Sequence, residues 1–334
     1  MTDGEFMLAA AREAAKGLGH TRPNPAVGAL IVRDGRIVAK GYHRRCGLDH
    51  AEVAAIKDAR RRHEPTAGAT LYVTLEPCSR PGRVGACTEA IAEAGFARVV
   101  YAVSDPNPVN RGRARRVLSA HGIACERLRG EKAVVDECNR LIAPFRKHVA
   151  TAMPYVTVKL AMSLDGKICD DWGKANWISS AESRRRTNLM RSSYDAIMVG
   201  AETIRKDNPS LLARVRCNDD LVRVVVSRSG KIDGSAQVFA DGRNQTLVFD
   251  DAKKALVELG RRGITSVLCE GGMELARSLA EAGLVDEWLG VIAPLVIGRS
   301  RIGQARRGKM GECGRPQKGA DCFCRAGFSR FAQL

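Results

Sequence analysis

The chain has few aromatic side chains and no long apolar run. Phe, Trp and Tyr make up 5% of its 334 residues, so the rings on which single-stranded nucleic acid usually stacks are scarce. No apolar stretch approaches the roughly 18 residues needed to span a bilayer. The first residues also lack the basic and then apolar profile of a signal peptide. We therefore expect a cytoplasmic protein with no membrane partner and no nucleic-acid partner.

Two further patterns are missing. The 11 cysteines are an odd number scattered along a chain without an export signal, which argues against a disulfide framework and in favour of reduced thiols. No Gly-x-Gly-x-x-Gly sequence follows a strand-like segment, which excludes the Rossmann dinucleotide fingerprint.

The chain does contain enough apolar sequence for two hydrophobic cores. Hydrophobic residues make up 45% and charged residues 27% of the chain, and 334 residues predict two domains at roughly 100 to 200 residues per domain. Lys and Arg number 54 against 37 Asp and Glu, which gives a formal net charge of +17. Such an excess is typical of proteins that bind nucleic acid or small anionic ligands.

Strand-like and helix-like segments alternate along both halves of the chain, which predicts an α/β sandwich followed by a second α/β domain. In the first half we predict strands at 26–32, 36–42, 70–75 and 98–103, and helices at 51–62, 89–94, 113–120 and 131–148. In the second half we predict strands at 155–161, 196–199, 222–227, 245–249, 266–269 and 287–293, with a helix at 253–261. The expected domains are 1–148 and 153–298. Residues 299–334 form a basic tail in which no strand pattern is found.

One histidine and two cysteines in the first half form a candidate zinc site. His50, Cys78 and Cys87 are soft ligands suited to tetrahedral zinc, and three protein ligands leave the fourth position open for water. Glu52 is placed to take a proton from that water and deliver it to a leaving nitrogen. This is a zinc deaminase signature, although eight residues separate the cysteines here instead of two. The alternative is a set of buried thiols with a satisfied histidine, and the surrounding motifs disfavour it.

Several motifs in the first 140 or so residues carry a family resemblance. They are PNPAVG at 23–28, GYH at 41–43, HAE at 50–52, YVTLEPCS at 72–79 and DPNP at 105–108, with the eight-residue gap before Cys87. This region resembles the deaminase half of the bifunctional riboflavin biosynthesis proteins of bacteria. The resemblance implies a cytidine-deaminase-like α/β/α sandwich that deaminates 2,5-diamino-6-(5-phosphoribosylamino)pyrimidin-4(3H)-one. It also implies that His50, Cys78 and Cys87 bind zinc and that Glu52 shuttles the proton.

The second half carries SLDGK at 163–167, NWIS at 176–179, DAI at 195–197, RVVV at 223–226, EGG at 270–272 and LVDE at 284–287. Residues 154 to about 298 resemble the reductase half of the same family, a dihydrofolate-reductase-like α/β domain that uses NADPH to reduce a ribosyl group to ribityl. The resemblance implies NADPH contacts for Trp177, Thr203, Asp207 and Gly272, and substrate contacts for Arg191, Leu211, Arg214 and Glu270. An arginine fork suits a sugar phosphate. A homo-oligomer formed through the reductase domain is also expected.

Departures from the family pattern keep two alternatives open. Ala175 replaces a usual substrate-contacting serine, Ser227-Arg228 replaces an aspartate-led pair, and the tail offers no edge strand to the sheet. These features favour a deaminase whose reductase domain is degenerate. The net charge favours a nucleic-acid-editing deaminase, although the arginine runs at 60–62 and 184–186 lack interleaved aromatic residues.

Overall fold

A computed structural model describes residues 1–80, 85–169, 178–213, 218, 220–240, 242–297 and 322–327. The chain divides into two compact units, which we call the first unit (Met1–Pro154 with Gly260–Thr265) and the second unit (Tyr155–Leu259 with Ser266–Leu334). Each unit is built on one β-sheet. Within the described ranges, no helix combines the length and the apolar character that a membrane span requires.

The first unit contains a five-stranded sheet in the order β2-β1-β3-β4-β5. Strand β1 runs antiparallel to β2 and β3, whereas β3, β4 and β5 are parallel. Its elements are α1 (Asp3–Ala14), a 3-10 turn (Ala15–Gly17), β1 (Gly28–Arg33), β2 (Arg36–Tyr42), α2 (Ala51–Arg61), β3 (Thr70–Leu75), α3 (Cys87–Glu93), β4 (Arg98–Val103), α4 (Arg113–Ala120), β5 (Ala124–Arg127) and α5 (Lys132–Thr151).

The central strands β3 and β4 are almost entirely buried, and this explains their unbroken apolar sequences. Helix α1 packs against β1 and β3, and α2 packs against β1 and β2. The strands predicted at 26–32 and 36–42 are confirmed, and they pair as an antiparallel hairpin. Asp34 and Gly35 at its turn have φ values of 49° and 70°, which is the left-handed conformation that a tight two-residue hairpin turn requires.

Helix α1 differs from the sequence analysis, which predicts no helix before residue 51. The Thr2 hydroxyl accepts a hydrogen bond from the Glu5 amide at 3.3 Å, and the Glu5 carboxylate accepts one from the Thr2 amide at 2.7 Å. This capping box satisfies two amides at the start of the helix. Asp3, in the first turn of the same helix, accepts hydrogen bonds from Tyr72 and Arg98. A local cap and a tertiary anchor therefore hold α1 on the sheet.

The second unit contains a seven-stranded sheet in the order β12-β11-β6-β10-β7-β8-β9. All neighbouring strands are parallel except β12, which is antiparallel to β11. Its elements are β6 (Tyr155–Ser163), α6 (Ala181–Arg191), β7 (Ala196–Gly200), α7 (Ala201–Asp207), β8 (Val222–Val226), α8 (Gln237–Ala240), β9 (Thr246–Phe249), α9 (Ala252–Arg261), β10 (Ser266–Cys269), α10 (Met273–Glu281), β11 (Glu287–Ala293) and β12 (Cys322–Gly327).

Strand β12 corrects one expectation about the tail. The sequence after residue 298 shows no alternation, yet β12 pairs with β11 from Glu287↔Gly327 to Ile292↔Cys322. An edge strand can form on pairing supplied by its neighbour without a regular sequence pattern of its own, because strand propensity depends strongly on context. The sheet of the second unit therefore has a strand at the edge where none was expected. The remainder of the tail lies outside the described residues.

Candidate functional site

The three predicted zinc ligands meet beside the carboxyl end of the central strand β3 of the first sheet. His50 is the N-cap of α2, Cys78 follows β3, and Cys87 is the first residue of α3. His50 Nδ1 lies 3.2 Å from Cys87 Sγ and 3.6 Å from Cys78 Sγ, and the three candidate ligand atoms lie within 4.8 Å of one another. Nitrogen and sulfur ligands of one tetrahedral zinc ion lie roughly 3.3 to 3.8 Å apart. The cluster therefore fits a zinc ion.

The start of helix α3 supports the cysteine ligands. The Cys87 amide donates to Cys78 Sγ at 3.3 Å, and the Thr88 amide donates to the Cys78 carbonyl oxygen at 3.2 Å. Hydrogen bonds from the Cys87 thiol and from His50 lower the pKa of Cys78 to about 4. Because the thiolate is the form of cysteine that binds metals, this environment prepares Cys78 as a ligand.

Glu52 lies in the first turn of α2, two residues after His50, and its side chain is buried. Burial, assisted by the negative charge of Cys78, raises the pKa of Glu52 to about 7. A carboxyl group with a pKa near neutrality can both accept and return a proton. The position and the chemistry of Glu52 fit a proton carrier beside the metal cluster.

Two residues had no role predicted from the sequence: His43 lies next to the cluster, and Asn24 contacts His43. The His43 ring is edge-on to the His50 ring, with 5.2 Å between centroids. His43 Nδ1 lies 2.9 Å from the Asp49 carbonyl oxygen, and His43 Nε2 lies 3.1 Å from Asn24 Nδ2. A neutral ring that donates from Nδ1 and accepts at Nε2 satisfies both contacts, and burial lowers the pKa of His43 accordingly. Both residues belong to motifs noted in the sequence, PNPAVG and GYH. These motifs were the signal from which the two residues could have been identified.

In the second unit, Arg191 and Glu270 form a largely buried ion pair. Arg191 ends α6 and Glu270 follows β10, and the guanidinium donates to the carboxylate from Nε at 2.6 Å and from Nη2 at 3.1 Å. Arg191 Nη1 also donates to the Leu212 carbonyl oxygen at 3.3 Å. Despite burial, Arg191 holds the pKa of Glu270 below its usual value. Much of the donor capacity of Arg191, expected to contact substrate, is thus used within the protein.

Lys159 of β6 adds a second cation to this cluster. Burial lowers the pKa of its ammonium group, and the charge of Glu270 partly opposes that effect. No role for Lys159 was predicted from the sequence. A lysine, an arginine and a glutamate therefore share one electrostatic environment beside the carboxyl end of β10.

The other residues predicted for the reductase lie on elements near the same strand ends. Thr203 and Asp207 belong to α7, which follows β7, and Gly272 is the N-cap of α10, which follows β10. Leu211 is buried with a φ of 54°. Because β7 and β10 are adjacent and parallel, α7 and α10 begin at the same edge of the sheet, where ligands of α/β folds usually bind. Trp177, Arg214 and Ala175 lie outside the described residues.

Two family models match the chain. The cytidine and deoxycytidylate deaminase zinc-binding region matches residues 1–103, and the RibD C-terminal domain matches residues 154–307. Riboflavin biosynthesis protein RibD of Escherichia coli K12 is 35% identical over 339 residues, covering 91% of this chain and 90% of that protein. RibD of Corynebacterium ammoniagenes is 39% identical over 286 residues, covering 84% of this chain and 82% of that protein. The chain belongs to the RibD family.

A solved structure agrees with this assignment. The diaminohydroxyphosphoribosylaminopyrimidine deaminase/5-amino-6-(5-phosphoribosylamino)uracil reductase of Thermotoga maritima has a TM-score of 0.80 and 36% identity, covering 89% of this chain and 88% of that chain. The predicted α/β fold class is confirmed, with a cytidine-deaminase-like domain followed by a RibD reductase domain. The chain is a bifunctional RibD enzyme of riboflavin biosynthesis, with a zinc-dependent deaminase and an NADPH-dependent reductase.

Proposed function

We propose that the first unit removes ammonia from 2,5-diamino-6-(5-phosphoribosylamino)pyrimidin-4(3H)-one, and that the second unit reduces the ribosyl side chain of the product to ribityl. The observation that carries this proposal is the convergence of His50, Cys78 and Cys87 beside buried Glu52. The name of the Thermotoga maritima enzyme supports the choice of substrate and product. Both proposed substrates are anionic, which is consistent with the net charge of +17.

In the proposed deamination, His50, Cys78 and Cys87 hold the zinc ion, which when bound would supply Lewis-acid activation of water. Glu52 accepts one proton as the water oxygen attacks the pyrimidine carbon that bears the amino group. It then delivers that proton to the leaving nitrogen, while the second proton of the water moves to the adjacent ring nitrogen, so that water and the amine become a carbonyl group and ammonia. The pKa of about 7 for Glu52 suits both transfers.

In the proposed reduction, Thr203, Asp207 and the turn at Gly272 contact NADPH, which when bound would supply a hydride. Arg191, Leu211 and Glu270 face the phosphoribosyl group. Conversion of ribosyl to ribityl breaks the bond between C1 and the ring oxygen, so the carbon must gain a hydride and the oxygen a proton. Contacts of Trp177 with NADPH and of Arg214 with substrate stay predictions.

The ion pair of Arg191 and Glu270, together with Lys159, suggests which residue stabilises the positive charge and which residue donates the proton. Arg191 fixes the orientation of the Glu270 carboxylate, which can stabilise positive charge developing at C1 and its nitrogen as the ring opens. Lys159 has a lowered pKa, so its ammonium group releases a proton more readily than an exposed lysine would. We therefore add Lys159 to the proposed site as the donor to the ring oxygen.

A paired assay on the intact chain tests this function. Ammonia release from the diaminopyrimidine ribonucleotide and loss of NADPH absorbance are followed in one sample. We expect both signals, with NADPH oxidation only after deamination has begun. Ammonia release alone would favour the deaminase with a degenerate reductase domain, and the absence of both signals would contradict the proposal.

We propose that the enzyme is a homo-oligomer assembled through the second unit, and that it works in the cytoplasm. Among the described strands β12 ends the order of the second sheet, and an edge strand can pair with a strand of another chain, which supports this assembly. The molar mass in solution, measured by light scattering, tests the assembly, and a monomer would contradict it.

A further inference from the structure

A buried carboxylate beside the metal cluster has no role in the chemistry described above. Glu76 is the first residue after β3 and stands two residues before Cys78, and its side chain is 3% exposed. Its amide continues the strand pairing by donating to the Val103 carbonyl oxygen at 2.8 Å. The side chain therefore starts from a rigid position at the end of a central strand.

The carboxylate of Glu76 joins the two ends of one loop. This loop, residues 105–112, connects β4 to α4. Glu76 Oε2 accepts a hydrogen bond from the Asp105 amide at 3.1 Å, and Oε1 accepts one from the Ala114 amide at 3.4 Å. Ala114 lies in the first turn of α4, and the N-cap Gly112 provides no side-chain hydrogen bond. Glu76 thus supplies from another element the acceptor that the helix start lacks.

The inside of the loop depends on the same anchor. Asp105 is 5% exposed, and its carboxylate accepts hydrogen bonds from the Asn107 amide at 2.8 Å and from Asn110 Nδ2 at 3.1 Å. Burial, together with the negative charges of Glu76 and Cys78, raises the pKa of Asp105. The loop therefore lies within electrostatic reach of a zinc ligand, and Glu76 holds the residue that organises it.

The strand order explains why this loop faces the site. Strands β3 and β4 are adjacent and parallel, so Cys78 and loop 105–112 leave the sheet at the same edge, where substrates of α/β enzymes bind. We propose that Glu76 is a positioning residue for deamination, which fixes loop 105–112 as a wall of the pyrimidine site next to His50, Cys78 and Cys87. This inference rests on the proposed deaminase function.

The variant Glu76→Gln tests the proposal because it keeps the size of the side chain but offers one acceptor oxygen in place of two. Its amide nitrogen would face a backbone N–H. We expect KM for the diaminopyrimidine ribonucleotide to rise about tenfold, the loss typical of a hydrogen bond to a charged group, with a much smaller change in kcat. Zinc content and the reductase rate on the deaminated substrate should stay at wild-type values.

Asp58→Asn is the matched control. Asp58 is also a buried carboxylate of the first unit and accepts a backbone hydrogen bond from Lys40 at 3.1 Å, but it lies near the end of α2 remote from His50. We expect this variant to leave KM for the diaminopyrimidine ribonucleotide unchanged. An equal rise of KM in both variants would overturn the proposal, because general destabilisation would then explain it.

Three other results show whether the proposed role of Glu76 fails or the deaminase function itself fails. An unchanged KM in folded Glu76→Gln with full zinc content would overturn the proposal. If that variant does not fold, Glu76→Asp decides: a raised KM with zinc retained supports the proposal, and an unchanged KM overturns it. Absence of ammonia release from the wild-type chain would instead be a failure of the deaminase function on which the proposal depends.

Discussion

The two units place charged groups at the carboxyl ends of parallel strands and neutralise them in different ways. In the first unit His50, Cys78 and Cys87 converge on one another, which is an arrangement that a metal ion completes. In the second unit Arg191 and Glu270 neutralise each other through two hydrogen bonds, with Lys159 nearby. The first site is therefore completed by a bound ion, whereas in the second site Arg191 supplies the countercharge of Glu270.

This difference determines what a substitution should do in each unit. Loss of a ligand in the first unit should remove the metal and with it the chemistry. Loss of one partner in the second unit leaves an uncompensated buried charge, so stability and activity should fall together. The comparison between the two units is tested most sharply by substitutions whose effects on stability and on activity are measured separately.

The largest effect is expected for Cys87→Ala. With two protein ligands left, zinc should fall to about one ion per ten chains or fewer after dialysis, and ammonia release should be lost. The reductase rate on the deaminated substrate should not change. Atomic absorption and the two assays provide the measurements, and one zinc ion per chain in this variant would remove Cys87 from the ligand set.

Glu52→Gln should separate zinc binding from deamination. The three ligands remain, so the zinc content should equal that of the wild type, whereas the rate of ammonia release should fall by about 10² to 10⁴ because the proton carrier is gone. Cys87→Ala serves as the metal-free reference. Turnover at the wild-type rate would show that another group carries the proton.

Arg191→Ala should destabilise the second unit by about 3 to 5 kcal/mol, because Glu270 would remain buried and unpaired. It should also raise KM for the ribosyl substrate. The double variant Arg191→Met with Glu270→Leu should recover most of the stability and none of the reductase activity. Denaturant unfolding monitored together with NADPH oxidation checks both expectations. An Arg191→Ala chain of wild-type stability would contradict the account of this ion pair.

The smallest effect is expected at the capping box of α1. Thr2→Ala should lower the free energy of unfolding of the first unit by about 1 kcal/mol, with both activities unchanged, since Thr2 lies at the start of α1 and contacts none of the proposed site residues. Thr151→Ala, at the end of α5, is a control outside the box. A change in KM for the deaminase substrate or for the reductase substrate would show that α1 influences one of the proposed sites.

The sequence predicts the first site better than the second, and the reason is physical. His50, Glu52, Cys78 and Cys87 lie within short motifs whose spacing is set by the chemistry of one metal ion. Arg191 and Glu270 are 79 positions apart, and only the strand order brings them together. Their pairing with each other, and the involvement of Lys159, could not be deduced from the residue types alone.

Helix α1 and strand β12 are two of the elements that were not predicted, and they were missed for related reasons. Helix α1 has an alanine-rich sequence without a clear periodic pattern, although the capping box of Thr2 and Glu5 was a readable signal. Strand β12 has no such signal, and its pairing with β11 comes from the completed sheet. Local chemistry can be read along the chain, whereas contacts between distant segments depend on the fold.

Zinc removal from the intact chain tests the central contrast most directly. After treatment with a chelator, the ammonia assay and the NADPH assay are run on one sample, with the reductase given already deaminated substrate. We expect ammonia release to stop and to return when zinc is added, while NADPH oxidation continues at an unchanged rate. Ammonia release that survives complete loss of zinc, or a parallel loss of both activities, would contradict the account.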